Sequence, residues 1–340
     1  MEETTLETEH NIRLTSAEIA NLWTNYMHDS LGSCVLSFFL EKTEDTEIKS
    51  VLDYALSLSK KHIQTITDLL NHEDYPIPVG FTTNDDVDFE APRLFSDTFH
   101  LHYVYHMTKM GLTSDTLALS LAARSDIRDY YSECIASSIE LQHRAVELLL
   151  RKGIYIRPPY ITTPKSVDFV QHQNFLTGWF GERKPLLAME IMQLHHNIQT
   201  NAIGKAVVMG FSQVAKTADV RDYMVRGKKI STKHIEIFGS LLTDNDLPVP
   251  MTWDSDVMDS TVPPFSDKLM MFHVFSLNSA GMGNYGTAIS TTTRRDLVTH
   301  YIRLNAEIGQ YVEDGVNIMI KRGWMEQPPQ SIDRDEIAKE

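Results

Sequence analysis

The chain contains two copies of one segment, and this duplication constrains the fold more than any other feature. With the sequence displaced by 172 residues, positions 17–78 align with 189–250 without a gap and share 16 identities in 62 positions. With a displacement of 170, positions 94–159 align with 264–329 and share 15 identities in 66. Identity over such long gapless segments indicates two diverged repeats of one structural unit. We therefore predict one fold that occurs twice and suggest that the two copies form a pseudo-twofold pair.

Each repeat has the pattern of four long helices. Residues 15–42 begin with Thr15 and Glu18, the reciprocal capping arrangement of a helix start, and continue with apolar residues at helical spacing. The same spacing predicts helices over about 46–71, 94–110 and 113–152, with the third ending at Gly111. No stretch of any length alternates as a strand would. Because amphipathic helices bury their apolar faces against one another, each repeat is expected to form a four-helix bundle.

The connection between the second and third helices, about 74–93, is unusually long for adjacent helices. A crossover of this length along a bundle is typical of ferritin-like topology. The predicted fold class is therefore all-α, with two tandem ferritin-like four-helix bundles and long crossover loops. We place the first bundle repeat at 13–160, a linker at 161–184 and the second bundle repeat at 185–330.

Charge and hydropathy restrict the partners and the location. The formal net charge is −15, so a nucleic-acid backbone would be repelled, and we expect no nucleic-acid partner. No uninterrupted apolar run approaches the ~18 residues of a membrane span, and the acidic opening "MEETTLETEHNIRLT" lacks the features of a secretory signal. We expect a cytoplasmic protein without a membrane span.

Several segments resemble a known family. They include "LTSAEIANLWTNYMHDS", "PRLFSDTFHLHYVYHM", "PVPMTWDSDVMDSTVPPFSDKLMMFH" and "AGMGNYGTAIS". The chain resembles, from about 13 to 338, the tandem family catalogued as domain of unknown function 3231, which occurs in endospore-forming Gram-positive bacteria. The resemblance implies a ferritin-like bundle in each repeat and a link to spores or their coat. It implies no established activity.

A ferritin-like metal pair requires a carboxylate from each of two helices and a Glu-x-x-His motif from each of the other two. The second helices keep His62 and His234 but have Ser59 and Ser231 at the glutamate positions. The fourth helix of repeat one carries the correctly spaced pair Glu140 and His143, while repeat two has Gln310 and Glu313 there. The dinuclear site is therefore interpreted as degenerate. His62, Glu140, His143 and His234 are the candidate metal ligands, and the alternative for His62 and His234 is a hydrogen bond to a neighbouring helix, to Asn25 or Asn197.

Two other groups of polar residues allow more than one interpretation. His102 and His106 are one helical turn apart and could share a metal. A second pair of histidines follows in "LHH", residues 194–196, and allows the same two interpretations. A groove or surface face is the favoured interpretation of these histidines, and a metal site is the alternative. The pairs Arg124–Asp126 and Arg294–Asp296 occur in both repeats, and together with Asp97 and Asp267 they are expected to form an ion-pair network at the helix junction.

Three functional classes follow from these observations. The favoured hypothesis is a non-catalytic structural or interaction protein, associated with sporulation or the spore coat, with no catalytic residues and no cofactor. Its partners would be other proteins of a spore layer or further copies of itself, and it would lie in the mother cell or be deposited in the coat. The second class is a ferritin-like metal-binding protein or oxidase that holds iron, manganese or zinc on residual His and Glu ligands. The third is a binder of a small molecule in the bundle cavity.

Overall fold

The computed structural model describes residues 12–177 and 184–339, and these residues form an almost entirely helical protein. Repeat one contains α1 Ser16–Lys42, α2 Thr46–His72, the short α3 Thr83–Asp86, α4 Asp97–Leu121 and α5 Ser125–Arg151. Repeat two contains α6 Ala188–Val214, α7 Ala218–Thr243, α8 Asp267–Thr291, α9 Arg295–Lys321 and the short α10 Arg334–Ile337. Besides two short 3-10 turns, the described residues add only two isolated β-bridges. The predicted all-α class with tandem helical repeats is confirmed.

The segment between the repeats is only partly described. It contains the 3-10 turn Gln173–Leu176, while residues 178–183 of the predicted linker 161–184 lie outside the described residues. The domain boundaries stay a prediction. No helix among the described residues has both the length and the hydropathy that crossing a membrane requires.

One buried glutamate connects the first and fourth helices of each repeat. The Glu18 carboxylate accepts a hydrogen bond from the Thr15 amide at 2.7 Å, which completes the predicted capping box of α1. Its other oxygen accepts from the amides of Ala123 and Arg124, both at 2.9 Å, at the start of α5. In repeat two, the Glu190 carboxylate likewise accepts from the Leu187 amide at the start of α6 and from the Arg294 amide at the start of α9. Free amides at two helix starts are thus satisfied by one side chain, which explains why this position is identical in both repeats.

The third helix of each repeat is longer than predicted. The expected end at Gly111 is wrong, because α4 continues through this residue to Leu121, and α8 likewise continues through Gly281. A glycine inside a helix costs only about 1 kcal/mol relative to alanine and need not end the helix. The break comes instead at residues 122–124, where the Glu18 carboxylate binds the amides that begin α5.

The two crossover loops pair with each other about a pseudo-twofold axis. Val87 forms an antiparallel bridge with Phe265, and its counterpart Val257 forms one with Phe95. The hydrogen bonds repeat in the same way. Ser96 donates its hydroxyl hydrogen to Asp256 at 2.5 Å, and Ser266 donates to Asp86 at 2.6 Å. Each loop therefore fixes the start of the third helix of the other repeat. The expected pseudo-twofold relation is present in these contacts.

One of the hydrophobic clusters contains residues of both repeats and crosses this axis. Phe39 packs edge-on against Phe95, and the equivalent Phe211 packs edge-on against Phe265. Phe95 also contacts Phe211, so the four rings connect the two repeats, and each is at most 3% exposed. The Tyr103 hydroxyl lies 2.9 Å from Nε2 of His273, within hydrogen-bond distance, in the same core. Because burial of large aromatic rings is a major source of folding free energy, the two repeats stabilise one another.

The charged residues that are identical in the two repeats lie in two separate groups. Arg124 binds Asp126 and Glu73, each at 2.6 Å, beside the start of α5. Asp97 lies at the other end of the bundle, where its carboxylate accepts from the amides of Glu44 and Asp45. The expected single network that includes Asp97 is therefore wrong. Since α4 ends ten residues later than predicted, its first turn and the start of α5 are at opposite ends of the repeat.

Candidate functional site

The two histidines shared by the repeats lie at the polar centres of the two bundles. His62 projects from the middle of α2, and His234 projects from the middle of α7. The His234 side chain is completely buried, and the His62 side chain is 14% exposed. Each ring contacts the helices that surround the bundle axis. These centres are where a ferritin-like protein would hold its metal pair, so they form the candidate site.

In repeat one, His62 is held by a carboxylate on α1. Its Nδ1 atom lies 3.2 Å from the nearer oxygen of Asp29. Burial lowers the pKa of His62, but the hydrogen bond to Asp29 and the adjacent Cys134 thiol outweigh burial and raise it to about 11. The centre of this bundle therefore contains an imidazolium paired with a carboxylate. A cavity of about 20 Å³ beside His62 and Cys134 has room for about one water molecule.

A second carboxylate of this centre stands on α4. Asp115 is 5% exposed and accepts a hydrogen bond from the Asn25 amide at 3.4 Å. Burial, together with the negative charge of Asp29, raises the pKa of Asp115 to about 6. The sequence suggested a hydrogen bond between Asn25 and His62, but Asn25 binds Asp115 and His62 binds Asp29. The centre of repeat one thus keeps two acidic groups, one histidine and one thiol.

In repeat two, a continuous chain of hydrogen bonds fills the centre. The Asn201 amide donates to the Tyr285 hydroxyl at 2.8 Å, and this hydroxyl lies 2.9 Å from Nδ1 of His234. Nε2 of His234 lies 3.1 Å from Glu307. Burial lowers the pKa of His234 although Glu307 opposes this shift, so the ring is neutral at pH 7. With the proton on Nε2, Tyr285 donates to Nδ1 and both ring nitrogens are used.

The four predicted metal ligands are not brought together. His62 and His234 occupy the two separate bundle centres, whereas Glu140 and His143 lie on the exposed face of α5. Glu140 binds Arg144 at 2.7 Å one turn further along the same helix. Within residues 12–177 and 184–339, no three His, Cys, Asp or Glu side chains are placed to hold a metal ion. The residues present therefore do not fit a pair of bridged ions.

Sequence comparison of the repeats missed the partners of the two histidines. Asp115 of repeat one corresponds to Tyr285 of repeat two, and Ser137 corresponds to Glu307. These positions differ between the repeats, so a search for identities passes over them. The signal that could have found them is the helical register, which places them one to three turns from the identical residues of the same bundle.

The histidine pair His102 and His106 and the histidines of "LHH" form one cluster at the boundary between the repeats. We call this cluster the histidine junction; it consists of His102, His106 and Lys109 of α4 with His195 and His196 of α6. The indole of Trp253 covers it, with its ring centre 4.9 Å from that of His102 and 5.7 Å from that of His106. Nε2 of His106 and Nε2 of His195 are buried and have no hydrogen-bond partner among the described residues.

The charges of the histidine junction are suppressed by burial. Burial and the charge of Lys109 lower the pKa of His102 and of His196 to about 4, and they also lower the pKa values of His106 and His195. Burial lowers the pKa of Lys109 to about 8. No carboxylate is among the groups that shift these five pKa values. The junction is therefore a neutral set of imidazoles around one cation at pH 7.

Comparison with known proteins places the chain in a family. The sequence model of the family described as "Protein of unknown function (DUF3231)" matches residues 3–167 and again residues 174–337. The chain belongs to this family. The two successive matches confirm the tandem resemblance that the sequence motifs carried, with one family unit in each repeat.

Comparison with individual proteins adds one structure. No curated protein matches the chain. Among solved structures, it is similar to a "putative spore coat protein" from Bacillus halodurans C-125. The two share 17% sequence identity with a TM-score of 0.41, over 46% of this chain and 99% of the other. The matched length corresponds to about one repeat.

Proposed function

We propose that the protein is a non-catalytic structural or interaction protein whose two bundles act as one body, associated with sporulation or the spore coat. The observation that carries the first part is the hydrogen-bond chain at the centre of repeat two. Tyr285 and Glu307 engage both ring nitrogens of His234, so no lone pair of this ring is free for a metal. Such a chain fixes the positions of α6, α7, α8 and α9 relative to one another.

The shared core supports the same proposal. The rings of Phe39, Phe95, Phe211 and Phe265 join the repeats, and the crossover loops exchange hydrogen bonds across the same boundary. Two repeats that share one core suit a protein that packs into a layer. The partners proposed are other proteins of a spore layer or further copies of this chain. The link to spores rests on the family to which the chain belongs.

The location is tested by following the protein through sporulation in its own host. An antibody against the chain would be applied to vegetative cells, mother cells and purified spores, before and after chemical extraction of the coat. The proposal expects the protein to appear during sporulation and to be released with the coat fraction. Detection in vegetative cells together with absence from spores at every stage would contradict the proposed association.

A metal-binding role is the second candidate, and one observation favours it. Repeat one keeps Asp29, Asp115, His62 and Cys134 near one bundle axis, and all four can ligate metals. In their present positions His62 is instead paired to Asp29, and Asp115 accepts a hydrogen bond from Asn25. The alternative is tested by the metal content of the purified protein.

A further inference from the structure

Repeat one has a solvent-open groove that is separate from both bundle centres. The groove has a volume of about 420 Å³ and lies between α1, α2 and the first crossover loop. This volume is within the range of small-molecule sites. The Ser30 hydroxyl accepts a hydrogen bond from the Phe81 amide at 3.3 Å and donates to the Met27 carbonyl at 3.0 Å. The loop that forms one wall of the groove is therefore fixed to α1.

Several polar groups that line the groove have no partner. Ser33 and Ser37 on α1, Thr83 on α3 and Lys60 on α2 all line it. Among residues 12–177 and 184–339, none of the four side chains has a hydrogen bond or an ion pair. The buried Cys34 thiol lies in the same wall and is protonated, because burial raises its pKa to about 12. The groove thus presents free donors to whatever enters it.

Repeat two provides an internal comparison, because the same helix positions carry different residues there. Lys205 and Met209 take the places of Ser33 and Ser37. The Lys205 ammonium is bound to Asp254 at 2.6 Å, and its side chain is only 14% exposed. Trp253 packs where repeat one has the smaller Phe81, and it is 1% exposed. An ion-paired lysine and a methionine thus replace the short serine hydroxyls of repeat one, so the two repeats differ at the positions that line the groove.

The lining defines the class of ligand. Unpaired hydroxyls can both donate to and accept from the hydroxyls of a sugar, and the Lys60 ammonium can pair with a phosphate or carboxylate. The rings of Tyr26 and Phe89 in the wall offer apolar surface for the carbon-bound hydrogens of a sugar ring. We propose that the groove binds a monosaccharide that carries one anionic group. This site is independent of the proposed structural role and would exist whether or not the protein belongs to a spore layer.

The proposal is tested by titrating the full chain with glucose 6-phosphate, glucuronate and glucose, using calorimetry and ligand-observed NMR. Loss of one charge-assisted hydrogen bond in Lys60→Gln is expected to weaken glucose 6-phosphate binding about tenfold. Ser37→Met introduces the residue of repeat two and should abolish binding by occupying the groove. Lys229→Gln removes one positive charge from an exposed position of α7 and serves as the matched control, with no change expected.

Three results would overturn the proposal. The first is the absence of saturable binding for both anionic sugars up to about 20 mM, well beyond the usual range of specific small-molecule sites. The second is binding that neither Lys60→Gln nor Ser37→Met weakens. The third is equal affinity for glucose and glucose 6-phosphate, which would remove the assigned role of Lys60. Circular dichroism of each variant checks that the helices remain folded.

Discussion

Acidification is expected to destabilise the protein through the histidine junction. An unfolded histidine has a pKa of about 6.5, whereas the folded pKa of His102 and of His196 is about 4. Between these two values the unfolded chain binds protons that the folded chain does not bind. The free energy of unfolding therefore falls as the pH is lowered through 6.5, and the loss from these groups is complete below about 4.

The size of the effect follows from the two pKa values. Between pH 6.5 and pH 5, each of these two histidines should reduce the free energy of unfolding by about 1.6 kcal/mol, or about 3 kcal/mol for the pair. His106 and His195 act in the same direction because burial also lowers their pKa values. Lys109 stays charged throughout this range, so it adds repulsion but no dependence on pH.

The assay is urea unfolding followed by circular dichroism at a series of pH values. Since buried His100 and His273 also have lowered pKa values, the informative quantity is the difference between variants. His102→Phe introduces the residue found at the equivalent position, Phe272, and should remove about 1.6 kcal/mol of the loss between pH 6.5 and 5. Phe272→His is the reciprocal variant and should add a similar loss. An unchanged pH dependence in His102→Phe would refute the reasoning.

Three further predictions concern the packing. A Cβ atom at Gly227 would clash with the Tyr311 hydroxyl, whereas a Cβ atom at Gly281 would have nothing within 4 Å. Urea unfolding should therefore show Gly227→Ala to be destabilised by about 1–3 kcal/mol and Gly281→Ala to be stabilised by up to about 1 kcal/mol; equal effects would contradict the packing. Phe211→Ala should cost about 3–5 kcal/mol and keep a single unfolding transition, and two separate transitions would show that the repeats do not share a core. Glu18→Gln should speed hydrogen exchange at the first amides of α5, and unchanged exchange would remove its capping role.

The fold could be predicted because the duplication and the helical spacing act over long segments. The reciprocal cap of Thr15 and Glu18 is visible as a local motif, and the structure confirms it. Glu18 also accepts hydrogen bonds from the amides at the start of α5, and the residues in these contacts are more than 100 positions apart in the sequence. No local pattern reports such a contact. The same limit explains why the local pattern predicts an end of the third helix at Gly111: the break is set by the contact of Glu18 with the amides of Ala123 and Arg124.

The candidate site could be predicted only in part. Identity between the repeats pointed to His62 and His234, because both copies keep the histidine. Its environment differs, since Asp29 pairs with one ring and Tyr285 with the other. Burial lowers the pKa of both rings, but at His62 the hydrogen bond to Asp29 outweighs burial and raises the pKa, whereas at His234 burial prevails. The helix faces decide these environments. Identity detects the shared scaffold, while the chemistry that distinguishes the two bundles lies at positions where the repeats differ.

Metal analysis tests the proposed structural role most directly. The protein would be purified from its own host without oxygen, and its iron, manganese and zinc would be measured by mass spectrometry for the natural chain and for His62→Ala and His234→Ala. Filled bundle centres predict metal contents far below one ion per chain in all three proteins. One or two ions per bundle in the natural chain, lost on substitution of the histidine of that bundle, would contradict the account.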